Sequence, residues 1–174
     1  MLKQQLEEIR NNNYIIDDTL HIDPLSYSML EHIGDTDSYL RDKLIYSTFY
    51  HLIKKEYLSH TQLQKLLLES ISEKYLLYKI HSADEDAVFT RAFTTLLIAL
   101  IIDADTNHNF LSRTDISNVK DQLILYMNNE LISGDMCKTT AGHIVSLMLP
   151  IHLKRLFVVL NWKLYVTKKY YKLY

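Results

Sequence analysis

Three charged side chains in this 174-residue chain stand where they could act on a small anion. Arg41 and Arg91 lie 50 residues apart, and each follows an aromatic residue (Tyr39, Phe89) by two positions near the start of a long helical segment. Two guanidiniums placed equivalently on neighbouring elements could grip a carboxylate or phosphate through their planar forks of donors, with Asp42 as the acid beside the first. The competing reading is that each arginine pairs with a nearby acid and ties one helix pair to the next. A second constellation is Asp103-Ala104-Asp105-Thr106-Asn107, the D-x-D-x-N with which a calcium-binding EF-hand loop begins. Two key positions of that loop fail, because His108 stands where glycine makes the sharp turn and Thr114 where a bidentate glutamate is needed. Asp103, Asp105 and Asn107 are therefore a weak calcium set, and they are also what a helix end and turn would use. His21, His32, His51, His60, His81 and His108 are scattered and read as surface or loop residues rather than ligands. The single cysteine, Cys137, permits no disulfide framework and no multi-cysteine metal site within one chain. No cofactor is expected.

Helices must position these groups. Only 3 Gly and 2 Pro in 174 residues leave little material for hairpins or long loops, so the class is all-α. The organising stretch is Asp84 to Asp103, where Phe89, Ala92, Phe93, Leu96, Leu97, Leu100 and Ile101 recur at helical spacing and are expected to face the core. Asp84, Glu85 and Asp86 suit the positive end of this helix, and any one could supply its N-cap oxygen. Leu2, Leu6 and Ile9 predict a short first helix ending at Asn11-Asn12-Asn13. Asp23-Pro24 predicts the start of a second helix, which Gly34 closes. A third, Asp37 to Tyr57, turns Leu40, Leu44, Ile45, Phe49, Leu52 and Ile53 inward. Ser59 and Gln62 have capping-box spacing and open a fourth, with Leu63, Leu66, Leu67 and Ile71 as its face. Ser112 and Asp115 open a sixth, facing inward through Ile116, Val119, Leu123, Tyr126 and Met127.

An internal repeat follows from these elements. Tyr39-Leu40-Arg41 and Phe89-Thr90-Arg91 are 50 residues apart, whereas Leu58-Ser59 and Leu111-Ser112, which open the partner helices, are 53 apart. Two αα-hairpins at that spacing predict a stack like the HEAT-type helical repeats, whose period is roughly 40 to 47 residues. Several such units are needed to close a core, so a third pair is expected after Glu130. Residues 131–174 do not read as one: Ile144 to Leu149 is apolar without a helical gap, Pro150 interrupts, and neither period is clean. The charge breaks at the same place, with −8 over residues 1–130 and +6 over residues 131–174. An acidic body argues against nucleic acid despite 13 Tyr. The longest mainly apolar runs, Phe93 to Ile102 and Ile144 to Ile151, are about half the length of a bilayer span, and the start of the chain has no signal-peptide pattern. No membrane span and a cytoplasmic location are expected.

SYLRDKLIYSTFYHLI, residues 38–53, and DAVFTRAFTTLLIALIIDADTNHNFLS, residues 86–112, resemble the bacterial family catalogued as domain of unknown function 2785. The resemblance covers roughly residues 35–130. It implies, after an acidic residue near Glu130, a third block approximating Leu-Arg-Gly-Tyr-Val and then Gly-Trp-Ala-His-x-x-x-His-Ala-x-Asp. The chain carries SGDMCKTTAGHIVSLMLPI instead. Taking the third base of each codon with the first two of the next, Met136-Cys137 must contain GTG, valine, and His143-Ile144 must give histidine or tyrosine. Permitted codons throughout spell Arg-Gly-Tyr-Val-Gln-Asp-Tyr-Gly-Trp-Ala-His-Ser-x-Ser-His-Ala-Thr-Asp, the missing block at its own spacing. The expectation is a one-base slip near the codons of Glu130 to Ser133, which divides the chain into an incomplete helical-repeat domain, 1–130, and an out-of-frame tail, 131–174.

Fold analogy says little about chemistry. The leading expectation is a cytoplasmic interaction or scaffold module whose partner is a protein or a small anionic ligand. The alternative is a small hydrolase or metal-dependent enzyme built from the arginine-bearing helix starts and the histidine block, whose His-x-x-x-His spacing places two imidazoles on one helical face.

Overall fold

The computed structural model describes residues 1–17 and 20–133, with side chains placed through Glu130, and within them the chain is helical without strands. Helix α1 is Leu2–Asn11, α2 is Ile22–Glu31, α4 is His60–Ser70, α5 is Ala87–His108 and α6 is Arg113–Ser133. Helix α3 has two parts: a π-wound segment, Tyr39–Tyr46, runs directly into an α-wound segment, Ser47–Lys54. Residues 131–174, expected to be an out-of-frame tail, and their charge step lie outside the described residues, apart from residues 131–133 at the end of α6.

Amphipathic spacing places the short helices as expected. Leu6 and Ile9 bury the inner side of α1, and the chain leaves that helix through left-handed Asn13 and Tyr14. In α4, Ser59 Oγ accepts from the Gln62 amide, and Gln62 Oε1 accepts in return from the Ser59 amide at 2.7 Å, a complete capping box. Leu63, Leu66, Leu67 and Ile71 are then all buried. Helix α6 opens on the same device with aspartate in the acidic place: the Asp115 amide donates to Ser112 Oγ at 3.1 Å and the Ser112 amide to Asp115 Oδ2 at 2.9 Å. Ile116, Val119, Leu123 and Tyr126 follow on the buried side, with Met127 packed at its edge.

Several boundaries differ from the sequence reading. Helix α2 starts two residues earlier than Asp23-Pro24 implies, after His21, so Pro24 occupies its third position. Proline is tolerated there because the first-turn amides have no intrahelical acceptor. Gly34 serves the fold in another way: a β-carbon at that position would overlap the backbone of Thr90, so the α2–α3 turn rests directly on the first turn of α5. Between α4 and α5, Ser72 to Ser82 forms successive tight turns, with amide bonds to the carbonyl three residues back at Tyr75, Tyr78, Ile80 and Ser82. Tyr75, Leu76 and Ile80 anchor these turns in the core.

Helix α5 is the central rod, packed against both α3 and α4. It begins at Ala87 rather than Asp84, and Asp86 supplies no side-chain cap. Asp84 instead holds the preceding turn, accepting from the Asp86 amide at 3.2 Å and from Lys79 Nζ at 2.8 Å. The expected core face is also rotated. Ala92, Leu97 and Ile101 are buried, but Phe89, Phe93, Leu96 and Leu100 are only half-buried, whereas Val88, Arg91, Thr94, Thr95, Ile98, Ile102 and Asp105 lie inside. Length and composition alone would let α5 cross a bilayer, but 61% of its most apolar window is buried by the rest of the protein, as in the core helix of a folded domain.

Candidate functional site

The arginine of α5 sits deepest. Arg91, 2% exposed, donates from Nε to Glu130 Oε1 near the far end of α6 and from a terminal nitrogen to the Tyr78 carbonyl at 3.0 Å. Its helix places it there: Arg91 is one turn in from Ala87, on the stripe that includes Thr94, Thr95 and Ile98. Tyr126, one turn before Glu130, is enclosed beside the pair. Burial pushes its phenol up first, the neighbouring Glu130 carboxylate raises it further, and Arg91 opposes them. The group is a closed internal ion pair between α5 and α6, with a hydrogen bond to the turns before α5.

Arg41 occupies the equivalent turn of α3 and meets different partners. Its guanidinium lies over the Phe89 ring at 4.1 Å and the Phe93 ring at 5.1 Å, both on α5. Nε pairs with Asp42 Oδ1 at 2.8 Å, and a terminal nitrogen donates to the Asp35 carbonyl at 2.8 Å. Arg41 is 6% exposed, while the Asp42 side chain is partly exposed. Each arginine has its own enclosure, and among the described residues no hydrogen bond brings the two together around a shared opening.

The Asp103–Asn107 stretch is not a loop. It lies inside the last turns of α5, which runs to His108, so the expectation that it begins a loop is corrected. The acids diverge. Asp103 pairs outward with Lys54 of α3 at 2.6 Å, whereas Asp105 is buried and accepts from the Leu111 amide at 2.8 Å, holding the turn into α6. Asn107 is exposed. Helical backbone cannot wrap these three side chains around one ion as an EF-hand loop does. Among the described residues no three His, Cys, Asp or Glu side chains are placed to ligate one ion.

Two histidines that look unrelated in sequence do meet. His60, the first residue of α4, and His108, the last of α5, have ring centroids 5.2 Å apart, and His60 stacks on Phe110 at 4.7 Å. His108 Nε2 faces Glu56 Oε1 at 3.3 Å. No local motif could have flagged this pair, because 48 residues separate its members and the meeting of two inter-helix turns brings them together.

The other polar links hold helices in place. Gln64 donates to Asp115 at 2.8 Å between α4 and α6, and Gln62 to Asp23 at 2.6 Å between α4 and α2. Burial works against ionisation of Asp115, yet hydrogen bonds from Ser112 and Gln64 outweigh it and hold its carboxyl below the ordinary range.

Residues 76–131 match the family described as Protein of unknown function (DUF2785). That span includes the Phe89-Thr90-Arg91 block, Glu130 and the whole of α5, but the residue 38–53 segment lies outside it. No curated protein and no solved structure matches the chain.

Proposed function

We propose that this chain is an interaction scaffold built from stacked αα-hairpins, HEAT-like in plan. The observation that carries the reading is the enclosure of both arginines: the groups best able to act on a substrate are engaged with the protein's own helices. Matched burial supports the repeat. Arg41, Leu44, Ile45, Thr48 and Leu52 of α3 are buried, and so are Arg91, Thr94, Thr95, Ile98 and Ile102, each 50 residues on. Leu63, Leu66 and Ser70 of α4 correspond likewise to Ile116, Val119 and Leu123 of α6, 53 residues on, behind capping boxes at the same offset. An anion panel read by thermal denaturation tests the reading. A scaffold with both arginines engaged internally predicts no saturable shift with phosphate, sulfate or small carboxylates, and a saturable shift lost in Arg41→Ala would overturn the enclosure that carries the reading.

The frame slip belongs to the same proposal. The family match stops at residue 131, where the change of frame is expected, and this supports the slip. Resequencing the gene across the codons of Met127 to Gly134 tests it. An added base would mark the slip as a sequencing error and restore the histidine block and a third hairpin, whereas confirmation of the present frame would make it a real lesion that leaves a foreign tail after residue 130.

A further inference from the structure

The cluster at the meeting of the α3–α4 and α5–α6 turns carries a feature that packing does not require. Helix α3 ends with a paired-bond cap: the Tyr57 amide donates to the Leu52 carbonyl at 3.0 Å and the Glu56 amide to the Ile53 carbonyl at 3.2 Å. The residue at the turning point of such a cap is left-handed and is usually glycine, sometimes asparagine. Helix α5 follows the custom with Asn109 at φ 50°, but α3 uses Glu56 at φ 58°. A glutamate accepts a conformational cost there that glycine or asparagine would avoid. That position brings the largely exposed Glu56 carboxylate to 3.3 Å from His108 Nε2.

A carboxylate on one imidazole nitrogen fixes the tautomer and turns the other nitrogen into a lone-pair donor, the usual arrangement behind a metal-ligating histidine. With Nε2 of His108 facing Glu56, Nδ1 is the available donor. His60 supplies the second imidazole, its plane set by the Phe110 ring 4.7 Å away and inclined by 11°. The spacing fits one ion between them. With metal–nitrogen bonds of about 2.0–2.1 Å, two imidazoles on adjacent tetrahedral positions place their ring centroids about 5 Å apart. The observed separation is 5.2 Å.

We propose that His60 and His108 form a two-nitrogen site for a divalent transition ion of the zinc, nickel or copper class, with Glu56 as its orienting carboxylate. Imidazole nitrogen selects that class over calcium or magnesium. The site is open, water completes the coordination, and a bound ion joins α4 of the first hairpin to α5 of the second. It would act as a metal-dependent staple at their turns. The test titrates the full chain at pH 7.5 with zinc sulfate by calorimetry and thermal denaturation, and with copper(II) chloride by electron paramagnetic resonance. Saturable binding, a raised Tm and a two-nitrogen copper signal are expected, each lost in both His60→Ala and His108→Ala. Glu56→Gly should weaken binding by about tenfold or more without lowering the metal-free Tm, because it relieves the left-handed backbone. Absence of saturable binding, or wild-type affinity in either histidine variant, would overturn the site.

Discussion

Arg41 and Arg91 stand 50 residues apart, each near the start of a long helix, yet they are built into the protein differently. Arg91 faces α6, where its charge is neutralised by Glu130 and its environment is closed by Tyr126. Arg41 faces α5, where the flat guanidinium covers two phenylalanine rings, and its acid, Asp42, is partly exposed. One arginine ties α5 to α6 and the other ties α3 to α5. Two arginines in like sequence settings thus differ in their contacts, and the chemistry of each has to be read from its neighbours.

Breaking the two sites should give effects of different size. Glu130→Ala leaves a buried guanidinium without its counter-charge and should cost about 3–5 kcal/mol in denaturant unfolding. Gly34→Ala forces a methyl against the Thr90 backbone where the α2–α3 turn rests on α5 and should cost about 1–3 kcal/mol, measured the same way. Arg41→Ala removes the stacking on Phe89 and Phe93 and the bond to the Asp35 carbonyl. A loss of about 1–2 kcal/mol is expected, smaller than at Glu130 because the Asp42 side chain left behind is partly exposed rather than enclosed.

Asp115 sharpens the contrast by pH. Its folded carboxyl titrates below the ordinary range, so its contribution is fully present above about pH 4 and is lost as pH falls through the lowered folded value. Asp115→Asn should flatten that part of the acid unfolding curve. The smallest change has the opposite sign. Thr94 has a fully buried hydroxyl with no hydrogen-bond partner among the described residues, and Thr94→Val should raise stability by about 1 kcal/mol.

Much of this architecture was legible where the signal is local. Ser59–Gln62 and Ser112–Asp115 marked helix starts because a cap needs only its own four residues, and the faces of α4 and α6 followed from simple spacing. Helix α5 defeated the same reasoning. It is apolar on nearly every side, so ranking positions by hydrophobicity selected Phe89, Phe93, Leu96 and Leu100, while the inner stripe carries Arg91, Thr94, Thr95 and Asp105. Three of those four have partners: Glu130 for Arg91 and the Leu111 amide for Asp105, which helical spacing does not reveal, and the Ala92 carbonyl one turn back for Thr95. The loop reading of Asp103–Asn107 failed because helical signal was judged to end at Asp103, whereas α5 continues to His108. His60 and His108 were invisible for a tertiary reason, since their meeting depends on how two turns are stacked.

The most direct test of the internal role of Arg91 is a double-mutant cycle with Glu130, read by urea unfolding of Arg91→Met, Glu130→Leu and the combined variant. Each single variant should be destabilised by about 3–5 kcal/mol and the combination should recover most of the loss, because no buried charge is left unpaired. Single variants close to wild-type stability, or losses that simply add, would contradict that role.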